Sequence, residues 1–212
     1  MAKMRGKFIT IEGSEGVGKS TNIAFIQEYL MQKGIELIVT REPGGTPLAE
    51  DIRRLLIEER EESMNETAEL LLIFAARAQH LQQRILPALD AGHWVLCDRF
   101  IDSTYAYQGS GRGMDKALIQ QFETIVHSGC QPDVTFYLDI DVKLGLERTQ
   151  KREKRDRFEH EAIGFFEQVR AGYLDRVKQN PGRYRMIDAG QSLERVQADI
   201  LRELTKLLKI VE

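Results

Sequence analysis

Apolar positions along the chain fall into two alternating kinds of run. Short stretches rich in β-branched and aromatic residues predict strands: KFITIEG (7–13), IELIVT (35–40), WVLCD (94–98), DVTFYLDI (133–140) and YRMID (184–188). Longer stretches between them repeat their apolar residues at helical spacing. They predict helices over 18–33, 46–59, 65–91, 115–127, 142–152, 160–179 and 193–208. Thr46 stands at an N-cap position with Pro47 at the first helical position. Pro87 is expected to kink the long third helix, which Gly92 ends. A glycine-rich bend is expected between the third strand and the helix that starts at Asp115.

Strands alternating with helices need crossover connections. The expected fold class is therefore α/β, a five-stranded parallel sheet with helices on both faces. No repeat, low-complexity linker or domain boundary interrupts the pattern, so residues 1–212 read as one domain. The apolar pattern breaks only at the charged run KREKRDRFEHE, which makes residues about 150–158 a candidate mobile insert.

Composition narrows the class. The 212 residues are 42% hydrophobic and 30% charged, as in a soluble globular protein. The net charge of −3 argues against a nucleic-acid partner, which would need a basic patch. Cys97 and Cys130 form neither a disulfide framework nor a metal-ligand spacing, and reduced thiols in a cytoplasmic protein are expected. No run is long enough to span a membrane, and the N-terminal apolar run is too short for a signal sequence.

The chemistry is concentrated in GSEGVGKS. Gly13, Gly18, Lys19 and Ser20 satisfy G-x-x-x-x-G-K-[ST] between a predicted strand and a predicted helix. Bare backbone lets successive N–H groups turn inward around a phosphate, and the helix adds its positive end. The loop Gly13, Ser14, Glu15, Gly16, Val17, Gly18, Lys19 and Ser20 is thus expected to hold a nucleoside triphosphate. Lys19 adds a full charge near the outer phosphates, and the Ser20 hydroxyl is placed to ligate Mg²⁺. A tight turn that happens to contain lysine is the other use of such a stretch.

A GTP-binding switch would carry N-K-x-D, and the chain has none. A P-loop at the start of about 200 residues suggests a small-molecule kinase. Two further segments fall at strand ends, where open parallel sheets bind ligands. TREPGGT sets Arg41, Glu42 and Pro43 just before strong turn residues. DRFIDSTYAYQGSGRG opens with Asp98, a carboxylate placed to approach Mg²⁺, and Arg99, a bidentate phosphate binder. A surface salt bridge between neighbours is the plainer reading of that pair.

IEGSEGVGKST, TREPGGTPLAEDIR, ELLLIFAARAQH, CDRFIDSTYAYQGSGRG, PDVTFYLDID and DRFE occur in this order along nearly the whole chain. In these segments the chain resembles the bacterial thymidylate kinases, members of the P-loop nucleoside monophosphate kinases. The resemblance implies that fold with a short lid, and the reaction ATP + dTMP giving ADP + dTDP with Mg²⁺. It implies that Glu15 lies near the dTMP sugar and phosphate. The variable part of the loop has no arginine, which implies that the lid supplies one, Arg152 or Arg157, with Lys151, Lys154 and Arg155 nearby. The family's acceptor contacts fall on Arg53, Arg77, Arg99, Thr104, Tyr107 and Gln108, with Ser103 adjacent and Glu42 and Pro43 at the same end. Arg77 and Gln108 would bond the base, and Tyr107 would crowd a 2′-hydroxyl. Where many relatives have a stacking phenylalanine this chain has Ile73, with Phe74 next to it. His80 reads as a helix-surface or structural histidine and Cys97 as a small buried residue. A homodimer paired through helices is a further implication. A deoxynucleoside kinase, another monophosphate kinase, or an ATP-dependent adaptor remain the competing readings.

Overall fold

Residues 5–149 and 157–209 are described by the structure, a computed structural model. Strands β1 (Phe8–Glu12), β2 (Leu37–Arg41), β3 (Trp94–Asp98), β4 (Val134–Asp139) and β5 (Tyr184–Asp188) pair in parallel in the order β2-β3-β1-β4-β5. The sheet is the expected one. β1 is central, and its register pairs Ile11 with Asp98 on one side and with Phe136 on the other. The loops that leave β1 and β3 therefore start side by side at the same edge.

The alternation of side chains along the strands divides the core. Ile9, Ile11, Leu96, Phe136 and Leu138 pack on Ile23, Ile26 and Leu30 of α1 (Lys19–Gln32) and on Val196, Ile200 and Leu204 of α9 (Leu193–Lys209). Phe8, Val95 and Cys97 point the other way, toward Leu70 and Phe74 of α3 (Glu66–His80) and Ile119 of α6 (Lys116–His127). Burying each such side chain is worth about 1.5–3 kcal/mol, so both faces must be covered. Between β1 and β4 two facing hydroxyls satisfy each other, Thr10 Oγ1 to Thr135 Oγ1 at 2.8 Å.

α2 (Pro47–Ile57) starts as its sequence predicts: Thr46 Oγ1 accepts from Ala49 N–H at 3.3 Å, and Pro47 opens the helix. The long helix expected over 65–91 is divided. A π-helical turn, Leu81–Ile85, separates α3 from α4 (Leu86–Asp90), and the Leu86 N–H reaches back to Leu81 O. Pro87 has no N–H, and its ring crowds the carbonyl four residues back; the widened turn before it relieves both.

The glycine-rich bend expected after the third strand is instead helical. α5 (Ile101–Thr104) continues into a π-helical stretch, Tyr105–Gly111. Tyr105, Ala106, Tyr107, Gln108 and Gly109 are all buried there, so no polar face marks the helix. α8 (Ile163–Gln179) packs closely on it at Gly172, where a Cβ would lie 2.6 Å from Ser110 Oγ. α7 (Val142–Thr149) follows β4, and its predicted continuation to 152 lies outside the described residues. A 3₁₀ turn, Arg157–His160, comes before α8, which begins three residues later than expected.

Candidate active site

β1 delivers the chain into the Gly13–Ser20 loop and α1 takes it away, so the first helical N–H groups face the loop. Gly18 caps α1 in the left-handed region, φ 84°, a conformation that glycine adopts without strain. Gly16 has φ 73° and lies against α7: a Cβ there would sit 2.0 Å from the carbonyl oxygen of Gly145. Lys19 folds over the loop, donating to Gly13 O at 3.1 Å and Ser14 O at 3.0 Å. Burial first, and the nearby Arg99 cation second, hold its ammonium pKa below the ordinary lysine value.

Arg99 leaves β3 in a left-handed conformation, φ 65°, uncommon for a residue with a side chain. Its N–H is held by Ile11 O at 3.0 Å, and its carbonyl accepts from the buried Cys97 thiol. This turn points the guanidinium back across the loop. Nη1 donates to Gly13 O (2.9 Å), Tyr173 OH (3.1 Å) and Ser103 Oγ (3.3 Å). Nη2 donates to Glu15 Oε1 (2.8 Å) and Tyr107 OH (3.0 Å). Tyr107 OH in turn donates to Glu15 Oε1 at 2.7 Å.

Beneath this group lies Glu12, fully buried at the end of β1. It accepts from Phe100 N–H (2.7 Å), Ser103 Oγ (2.6 Å) and Tyr173 OH (2.9 Å). Burial, and then the Asp102 charge, push its carboxyl pKa up to about 7 against the opposing pull of Ser103 and Arg99. Asp102 is itself buried and held by Arg176 Nε at 2.9 Å and Arg183 Nη2 at 2.7 Å.

A second group closes the far end of the cavity. Arg77 Nε donates to Glu42 Oε2 at 2.6 Å, and Nη2 to Thr104 Oγ1 at 3.0 Å. His80 bridges Glu42 Oε1 (Nδ1, 3.0 Å) and Thr40 Oγ1 (Nε2, 2.7 Å). His80 is thus fully buried, a structural histidine rather than a helix-surface one. Burial alone would raise the Glu42 carboxyl pKa, but Arg77 and His80 outweigh it and hold it below the ordinary value. Arg53 Nη1 donates to Pro43 O at 3.1 Å, and Gln108 Nε2 to Glu69 Oε1 at 2.8 Å.

One cavity of about 300 Å³ joins the two ends. Glu15, Gly16, Val17, Gly18, Lys19 and Ser20 line its loop side. Glu42, Pro43, Arg53, Arg77, Thr104 and Gln108 line the other, with Asp98, Arg99, Ser103 and Tyr107 between them. Gly13 and Ser14 complete the loop behind this wall. Ile73 also lines the cavity, whereas Phe74 turns into the core and stacks on Phe122 at 5.3 Å. Arg157 lies behind the cavity wall, donating to the carbonyl of the wall residue Leu56 at 3.0 Å and to Glu69 Oε2. Arg152, Lys151, Lys154 and Arg155 lie outside the described residues.

A divalent cation fits the mouth. Asp98 Oδ1 is buried with no hydrogen-bond partner among the described residues, and Ser20 is exposed on the same cavity. Among the described residues no three His, Cys, Asp or Glu side chains cluster as a metal cage. Few protein ligands suit Mg²⁺, which keeps waters and is shared with phosphates.

Glu12, Glu69, Asp102 and Tyr173 lie behind the cavity lining, and sequence reasoning missed them. For Glu12 a signal existed: a carboxylate that closes a strand read as buried on both faces has no solvent to face. The other three are recognisable only once α3, α5 and α8 are brought together.

Residues 11–200 match the family model described as Thymidylate kinase. The chain is 58% identical to the thymidylate kinase of Teredinibacter turnerae over 205 residues, 97% of this chain and 100% of that one. It is 56% identical to that of Chromohalobacter salexigens, over 96% of this chain and 97% of the other. The crystal structure of the thymidylate kinase from Ehrlichia chaffeensis superposes with a TM-score of 0.79 at 35% identity, covering 94% of this chain and 99% of that one.

Proposed function

The chain belongs to the thymidylate kinase family, and we propose that its site transfers the γ-phosphoryl group of ATP to dTMP, giving ADP and dTDP. The observation that carries this reading is the single cavity joining the Gly13–Ser20 loop to the Arg77–Gln108 chamber through Asp98 and Arg99.

The acceptor is a phosphate monoester, largely ionised at neutral pH because its second pKa is about 6, so it needs no strong general base. Glu15 supports this, since its carboxylate is engaged by Arg99 and Tyr107. The barrier lies in bringing two polyanions together in line. The loop amides and Lys19 hold the donor's phosphates. Arg99 exchanges its loop carbonyl and hydroxyl partners for oxygens of the acceptor phosphate, as a forked donor suits. Mg²⁺, held through Asp98 and Ser20, supplies charge neutralisation when bound. Tyr107, fixed by Glu15, crowds a ribose 2′-hydroxyl, while Arg77 and Gln108 meet the base beside Ile73. Arg53 completes the acceptor wall. Arg157 adds cationic charge near the acceptor end.

No helix of the described residues is long and apolar enough to cross a membrane. Cys97 and Cys130 are buried free thiols, which supports a cytoplasmic setting. A single domain acting as a homodimer without nucleic acid completes the reading; the exposed Leu71 of α3 and Ile125 of α6 are available for such pairing.

ADP release measured separately with dTMP, dUMP, dCMP, dGMP and thymidine tests the proposal. The highest kcat/KM is expected for dTMP, with negligible ATP hydrolysis when no acceptor is present. A higher value for thymidine or dGMP would overturn it. Against dUMP the margin should be modest, since one methyl group is worth about 1–3 kcal/mol.

A further inference from the structure

At the base end of the cavity lies a buried carboxylate that the reaction itself leaves unused. Glu69, on α3, is 1% exposed. It accepts from Gln108 Nε2 at 2.8 Å and from Arg112 Nε at 3.5 Å, and pairs with Arg157 Nη2. Arg112 is anchored in turn on Glu161 at 2.6 Å. The carboxylate is thus held by three side chains from two segments, the π-helical stretch with its cap residue Arg112 and the 3₁₀ turn at Arg157.

A carboxylate only accepts, whereas a side-chain amide presents NH₂ on one side and C=O on the other. Left alone, a glutamine could offer either to a ligand. Next to Glu69 it has no choice: Nε2 is committed to the carboxylate, and Oε1 is what Gln108 turns to the cavity that it lines. Arg77, on the same wall, offers only donors. Its Nη1 is buried with no hydrogen-bond partner among the described residues.

We propose that Glu69 is a positioning residue that selects the pyrimidine, by locking the Gln108 amide so that an acceptor stands beside the Arg77 donor. This pair complements the O4 and N3–H edge shared by thymine and uracil. Cytosine inverts both positions: its amino group meets the arginine and its unprotonated ring nitrogen meets the Gln108 oxygen. Two donor–donor and acceptor–acceptor contacts in a dry pocket leave polar groups unpaired, the costly outcome. The inference rests on the reading of Arg77 and Gln108 as base contacts, and it moves the choice of base one side chain behind them.

The test compares kcat/KM for dTMP and dCMP in Glu69→Gln, Gln108→Leu and the double variant. Replacing Glu69 by an amide frees Gln108 to turn over. The dTMP:dCMP ratio is expected to fall about tenfold or more in Glu69→Gln, mainly through KM for the monophosphate, with KM for ATP little changed. Gln108→Leu should lower the ratio as well, and adding Glu69→Gln to it should lower it no further, as for two residues acting through one contact. A ratio within about twofold of the original protein in Glu69→Gln, while Gln108→Leu lowers it, overturns the role of Glu69 and leaves the base contacts standing. An unchanged ratio in Gln108→Leu removes the base-contact reading and this inference with it. If Glu69→Gln does not fold, amide exchange in the unsubstituted protein decides. One slowly exchanging Gln108 side-chain N–H supports the lock, and two fast ones overturn it.

Discussion

Arg99 and Glu15 meet in an ion pair of 2.8 Å across the phosphate loop, both of them less than one-fifth exposed. The pairing aims the guanidinium before any nucleotide arrives. It also makes an incoming phosphate compete with a carboxylate for the same donors. Arg99→Ala should keep the fold and lower kcat/KM for dTMP about a thousandfold, the scale of losing a preorganised charge donor. Arg99→Lys keeps the charge without the fork and should recover about a tenth of the activity at most. Steady-state ADP release on the purified variants reads both, and normal turnover in either contradicts the phosphate-clamp argument.

Lys19→Ala addresses the donor side. Its Nζ now rests on two loop carbonyls and has to move to the outer phosphates. Loss of about a thousandfold in kcat is expected, with only a small drop in melting temperature because Gly13 O keeps its Arg99 donor. Calorimetric ATP binding alongside kcat separates the two effects.

Arg157 stands next to the acceptor end through Leu56 and Glu69. Arg157→Ala should lower kcat about tenfold or more, raise KM for dTMP, and weaken ATP binding less than either. The reverse order, with ATP affinity hit hardest, would argue against a role over the transferred phosphoryl group.

Gly45→Ala tests the buried network under the base end. At φ 86° an added Cβ would lie 2.3 Å from His80 Nε2 and 2.6 Å from Thr40 Oγ1. Displacing His80 loosens Glu42 and hence Arg77. A stability loss of about 1–3 kcal/mol is expected, with KM for dTMP rising more than KM for ATP. Gly34→Ala is the control: it shares a positive φ of 74° but meets no atom within 4 Å. It should lose about 1 kcal/mol through backbone strain alone and leave both KM values unchanged.

Glu12 predicts a pH dependence. Its folded pKa of about 7 lies above the ordinary 4.5, so the folded state binds the proton more tightly. A raised pKa contributes stability at low pH that is lost as pH climbs from 4.5 through 7. Glu12→Gln removes the charge and keeps one of the two acceptor oxygens. Relative to it, the unsubstituted protein should lose on the order of 3 kcal/mol between pH 4 and pH 8. Urea unfolding of both across that range is the measurement, and a flat difference contradicts the assignment.

All five strands were legible because a parallel sheet buries both faces, and buried runs of FITIE or TFYLD need no context to be recognised. The phosphate loop was legible for a related reason: its chemistry depends on backbone, and glycine spacing records backbone. The helical stretch after Arg99 was not. Tyr105 to Gly109 are buried on every side, so no amphipathic period exists, and Gly109 and Gly111 resemble turn residues. Glu69, Glu12 and Asp102 escaped because periodicity arguments send carboxylates to the surface. Only assembled neighbours, such as Arg176 and Arg183 around Asp102, show why they remain inside.

The bare contact between Gly16 and Gly145 has a consequence for inheritance. The rim of the phosphate cradle leans on a helix that arrives more than a hundred residues later, backbone against backbone, with no side chain to cushion a change. A methyl group at 145 would press the cradle out of shape while touching no nucleotide. Random mutagenesis scored by growth would therefore rank that remote position with the reacting groups themselves, and selection on the enzyme would guard a spot where nothing reacts.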